Sequence, residues 1–210
     1  MKIKIKEKKK WDAENDFYQL SDPNRIFKLI YHYEIYKKIS KVKGDVFEFG
    51  VFKGASIIRL LTFAKLLDKN RRSFYGFDTF GKFPTPQKKY DKKFVKMWKN
   101  AAGDAFNDKH IAKILNKKSL KNFKFIKGDI FLTLDKFLKS YKKKIALLHL
   151  DLDTYDITKF VLKKIYKNLT KNSVILVDDY NSTVGATKAV NEFLKEKNYQ
   201  ISVLKNHKNP

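Results

Sequence analysis

The chain has no cysteine in its 210 residues, which excludes disulfides, thiolate metal centres and cysteine nucleophiles. Four prolines and eight glycines are too few for a collagen-like or low-complexity chain, and no Pro/Gly/Ser-rich linker divides the sequence. No apolar run approaches the roughly 20 residues of a membrane-spanning helix. The N-terminus, MKIKIKEKKKW, is basic but lacks the apolar centre of a secretory signal. The expectation is a cytoplasmic protein of one domain, 1–210, with an irregular basic arm at 1–20.

Acidic residues are also in short supply, 22 against 47 basic ones, for a formal charge of +25. Arginine is rarer still. It occurs only at positions 25, 59, 71 and 72, and every other basic residue is lysine. Arginine reads phosphates and guanines bidentately, whereas lysine is a solvated point charge. The lysines run through every segment without forming a stripe. This pattern fits an AT-rich genome; a functional basic patch is the alternative. In either case the field attracts anions. A nucleic-acid-binding module is the competing class, but no RNA- or DNA-binding motif is present.

What is present is enough apolar material for a core, 43% hydrophobic and 15% aromatic. Residues 21–44 read as a helix, capped by Ser21 or Asp22 with Pro23 in the first turn. Strand-like runs then alternate with helical ones. Strands are expected at 45–51, 73–78, 123–129, 144–151, 173–179 and 200–206, with helices between them. Strands separated by helices pair in parallel through right-handed crossovers. The fold class is therefore α/β, a doubly wound, mostly parallel, Rossmann-like sheet.

Ligands of such sheets lie beyond the carboxyl ends of the strands. Those ends carry Glu48, Asp78, Asp129, Asp151 with Asp153, and Asp178 with Asp179. One such carboxylate is an ordinary helix cap; carboxylates at five strand ends of so basic a chain suggest a site. The first end reads Glu48-x-Gly50-x-x-x-Gly54-x-Ser56. This is neither the GxGxxG spacing nor a phosphate loop. A glutamate ahead of the glycines suits an ammonium group, and Asp78 is placed for two ribose hydroxyls. A nucleoside bearing an amino acid, S-adenosylmethionine, fits that description.

Four stretches, GDVFEFGVFKGASI, YGFDTFGKFP, LLHLDLDTYDIT and VILVDDYNSTVGATKAVNEFL, resemble the macrocin O-methyltransferase family in order and spacing. The resemblance spans roughly residues 21–195. It implies a class I methyltransferase fold, S-adenosylmethionine as donor, a sugar hydroxyl as acceptor and a divalent metal, usually Mg²⁺. Position by position, it implies that Glu48, Gly50, Gly54 and Ser56 hold the methionine part of the donor. Asp78 would then bind the ribose, and Asp129 would face the adenine. The chain departs from the pattern near its end, where one strand replaces the usual closing pair. This leaves the oligomeric state open, a homodimer included.

Asp151, Asp178 and Asp179 end two adjacent strands and form a candidate metal set, since three carboxylates so close would repel without a cation. Oxygen donors alone suit Mg²⁺. Asp151 and Asp153 are the candidate bases, and His149 shares their face. In catechol-type methyltransferases, a further alternative, a lysine follows the first metal aspartate by three residues; here that position is Thr154. Residues 79–122 are too long for a bare loop and read as a lid over the site. The lysines at 82, 88, 89, 92, 93, 96 and 99 are expected to close on an anionic, nucleotide-linked sugar.

Overall fold

The computed structural model describes residues 7–69 and 71–203. Five parallel strands form one sheet in the order β3-β2-β1-β4-β5: β1 Asp45–Phe49, β2 Phe74–Asp78, β3 Phe123–Lys127, β4 Ile145–Leu150 and β5 Leu169–Val177. Helices fill the connections: α1 Glu7–Leu20, α2 Pro23–Ile39, α3 Ala55–Leu67, α4 Lys89–Ala102, α5 Asp108–Lys117, α6 Ile130–Ser140, α7 Tyr155–Ile165 and α8 Val184–Lys197. The strand order reverses between β1 and β4, and a crevice opens at such a switch point.

Alternation along the strands sorts their side chains onto two faces. Val46, Leu147 and Leu176 face the layer that contains Tyr36 of α2 and Ile57, Leu60 and Leu61 of α3. Phe47, Phe49, Leu148 and Leu150 face Leu134 of α6, Val161 and Leu162 of α7 and Phe193 of α8. Both faces are covered, so β1 and β4 are buried along their whole length.

Two expectations need correction. Most of the N-terminal arm is the helix α1, because its Lys, Glu, Ala, Gln and Leu residues favour helix and no Gly or Pro interrupts them; residues 1–6 lie outside the described residues. Of the strand expected at 200–206, residues 200–203 carry none, and 204–206 lie outside the described residues. The weak helical patterns at 90–100 and 107–117 are α4 and α5.

Candidate active site

The C-terminal edge of the sheet borders a cavity of about 730 Å³, within the size range of small-molecule sites. The loop after β1 forms one wall. Gly50, at φ +89°, lets this loop lie against β4: a Cβ there would stand 1.8 Å from the backbone oxygen of Asp151. Gly54, at φ +85°, starts α3, and a Cβ there would meet Ile111 Cγ2 at 2.9 Å. Gly50 and Ser56 line the cavity. Gly54 is set back from it, packed against α5.

The Asp78 carboxylate organises the same loop. Its Oδ2 accepts the amides of Val51 at 2.8 Å and Phe52 at 2.9 Å, and its Oδ1 accepts the amide of Phe80 at 2.7 Å. Phe52 and Phe80 sit at φ +51° and +52°, where only a well-determined environment holds a phenylalanine. Asp78 therefore shapes the loop as well as lining the cavity. Asp129 caps α6, its Oδ1 accepting from Phe131 N–H at 2.9 Å. Its neighbours Gly128, Ile130 and Phe131 line the cavity.

Glu48 does not reach the wall. It is buried, accepts a hydrogen bond from Ser56 Oγ and stands 3.7 Å from His149 Nδ1. On its other side His149 is 3.5 Å from Asp178 Oδ1. Burial opposes the imidazolium, but Asp178 and Glu48 outweigh it and push the His149 pKa up to about 10. His32 lies 5.3 Å from the His149 ring, and burial lowers its pKa to about 4 against the pull of Asp178.

The aspartates divide differently from the sequence grouping. Asp151, Asp153 and Asp179 each bring a carboxylate oxygen within 4.8 Å of the others. Asp178 lines the cavity too, but its carboxylate pairs with Lys28 and faces His32 and His149. Those three partners overcome burial and hold Asp178 well below the usual carboxylate range. Burial, then Asp178 and Asp179, raise Asp151 well above it. Burial, then Asp153 and Asp178, raise Asp179. Burial and the Asp151 charge push Asp153 up to about 7. Asp153 also sits at φ +60°, and its amide donates to Asp179 Oδ2 at 3.0 Å. Three clustered carboxylates, Asp179 buried and Asp151 and Asp153 partly so, with raised pKa values and hard oxygen donors, fit a divalent cation.

The 79–122 segment borders the cavity through Phe83, Phe94 and Trp98, and Trp98 lies 5.8 Å from the Phe52 ring. Buried Asp91 anchors α4 by accepting Tyr155 N–H at 2.9 Å, and Gly185 packs so closely that a Cβ would meet Asp91 Oδ1 at 2.1 Å. The expected lysine contribution is corrected: none of the seven lysines lines the cavity. Because α4 turns its aromatic residues inward, Lys92, Lys93 and Lys96 are exposed. The cations on the wall are Arg25, Lys28, Lys53 and Arg59; in the sequence, only the scarcity of arginine sets two of them apart.

Among solved structures, the calicheamicin methyltransferase CalS11 has a TM-score of 0.73 at 22% identity, over 96% of this chain and 83% of its own. The O-methyltransferase NovP has 0.75 at 20%, over 87% and 76%. An apo structure of CalS11, described as a TDP-rhamnose 3'-O-methyltransferase, has 0.67 at 22%, over 93% and 82%. At these identities the likeness establishes a methyltransferase fold of the Rossmann-like type. No curated protein sequence matches significantly. No helix among the described residues is long and apolar enough to cross a membrane. The family model for macrocin O-methyltransferase matches residues 31–206, most of the sequence, and the chain therefore belongs to that family of S-adenosylmethionine-dependent O-methyltransferases.

Proposed function

We propose that the protein methylates a hydroxyl of a sugar, nucleotide-linked or part of a glycan or glycosylated natural product, with help from a divalent cation, Mg²⁺ in the first instance. The observation that carries this reading is the placement of Asp151, Asp153 and Asp179 together on the wall of the same cavity as the Gly50–Ser56 loop and Asp78. The sugar class is supported by family membership and by CalS11, whose description names TDP-rhamnose.

Gly50, Ser56 and the Val51–Phe52 turn held by Asp78 would receive the donor's amino-acid and ribose parts. Gly128, Ile130 and Phe131 would border its adenine. Glu48 would act from behind, fixing Ser56. Asp151, Asp153 and Asp179 would hold the cation, with Asp178 kept ionised beside them by Lys28 and His149. When bound, the cation supplies a positive charge that favours an ionised acceptor hydroxyl. Asp151 or Asp153, the carboxylates at the end of β4 beside the cation, would accept the hydroxyl proton. Phe94 and Trp98 of the insertion would cover donor and acceptor and limit water.

The test is calorimetric titration with S-adenosylhomocysteine, with and without Mg²⁺, followed by turnover on a panel of nucleotide sugars, free glycosides and catechols. Metal-dependent transfer to one or more sugars is expected. Transfer to catechols alone would overturn the sugar assignment.

A further inference from the structure

The four arginines fall into two pairs. Arg71 and Arg72 serve the fold. The buried Arg72 guanidinium bonds Asp68 Oδ2 at 2.7 Å and the carbonyls of Ile39, Ser40 and Gly44 at 3.0–3.2 Å, and Arg71 Nε bonds Asp68 O at 3.0 Å. The guanidinium groups of Arg25 and Arg59 make no hydrogen bond or ion pair among the described residues, and both residues line the cavity. They come from different helices, Arg25 from the first turn of α2 and Arg59 from the second turn of α3.

They are close enough to sense each other. Burial, and after it the charge of Arg25, lower the Arg59 pKa, while Asp178, Glu48 and Asp151 pull it back. The other cations on this wall have partners: Lys28 is paired with Asp178, and Lys53 Nζ donates to Ala102 O at 2.7 Å. Two guanidiniums, each with five donors in a planar fork, thus border one cavity with no carboxylate engaged. An oxyanion bound at this wall would offset the repulsion and take bidentate hydrogen bonds from a guanidinium.

We propose that Arg25 and Arg59 form a clasp for an oxyanion of the bound ligand, a carboxylate or phosphate, on the α2–α3 side of the cavity. The proposal rests on the O-methyltransferase reading of that cavity. Two ligand groups carry the required chemistry: the α-carboxylate of the donor and the phosphate of a nucleotide-linked acceptor.

The test uses Arg25→Gln, Arg59→Gln and the double variant of the full chain. Each is titrated with S-adenosylhomocysteine, with 5'-methylthioadenosine, which has the nucleoside but no amino acid, and with thymidine or uridine diphosphate at saturating S-adenosylhomocysteine. The double variant is expected to bind an anionic ligand at least about tenfold more weakly, the scale of losing charged hydrogen bonds, and methylthioadenosine as the parent does. A loss confined to S-adenosylhomocysteine assigns the carboxylate; one confined to the diphosphate assigns the phosphate. The clasp is overturned if every anionic ligand that binds the parent also binds the double variant within twofold. If the parent binds no S-adenosylhomocysteine, the reading of the cavity falls, and the clasp with it.

Discussion

The Asp78 carboxylate accepts the amide of Phe52 at 2.9 Å and holds that residue at φ +51°. One side chain at the end of β2 thereby fixes the loop that leaves β1. Asp78→Asn should weaken S-adenosylhomocysteine binding and lower the melting temperature together. The stability loss should be about 1.5–3 kcal/mol, the range for hydrogen bonds to a charged group. Calorimetry and thermal melting of the same preparation check both. Weakened binding with an unchanged melting temperature would assign Asp78 to the ligand alone.

The glycines should differ in severity. Gly50→Ala places a methyl group 1.8 Å from a backbone oxygen, so β1 and β4 must part, and little folded protein is expected. Gly54→Ala meets only the Ile111 side chain, at 2.9 Å, but keeps a positive φ; a loss of about 1–3 kcal/mol is expected. Gly81→Ala meets no atom within 4 Å and should be nearly neutral. Chemical denaturation of the three variants gives the order directly.

Chelation should stop turnover, and Mg²⁺ should restore it. Asp179→Asn should lower turnover far more than it lowers S-adenosylhomocysteine affinity, because its carboxylate belongs to the group with Asp151 and Asp153. Full activity in EDTA would remove the cation from the scheme.

Metal-free stability should fall between about pH 6.5 and 8. Asp153 has a folded-state pKa of about 7, raised from 3.8, so the folded protein keeps a proton that the unfolded chain has lost; this stabilisation is complete below pH 3.8 and disappears as pH rises through 7. His149, raised from 6.5 to about 10, has the same sign from 6.5 upward. His32, lowered to about 4, opposes them only below pH 6.5. Melting temperatures in EDTA across this window check the slope, and a flat or rising profile would contradict it. Mg²⁺ should restore more stability at pH 8 than at pH 6.5, because its carboxylate ligands must be ionised.

Much of this architecture is legible in the sequence. The alternation of apolar runs with helical periods marks β1 through β5, and the strand-end acids mark the edge that borders the cavity. Side-chain direction is not legible. Asp178 and Asp179 are neighbours in the chain, yet Asp178 continues the β5 alternation onto the face of Leu176, where Lys28 and His32 of α2 meet it. Asp179 turns instead to Asp151 and Asp153. Glu48 reads as a wall residue, but the same alternation buries it beside His149. The insertion lysines read as ligands because charge is visible in a sequence, whereas the inward aromatic face of α4 depends on packing.

At Gly50 a missing methyl group sets how closely the loop after β1 can approach Asp151. In the proposed reaction these two neighbours stand on the donor side and the acceptor side. The reach of methyl transfer is then gauged by main chain against main chain, at a point no side chain can adjust. Displacements near 1 Å can cost a hundredfold in rate, so such a fixed gauge shelters the chemistry from change elsewhere. Cavity residues that meet only the acceptor are then free to diverge while the distance the methyl group travels stays the same.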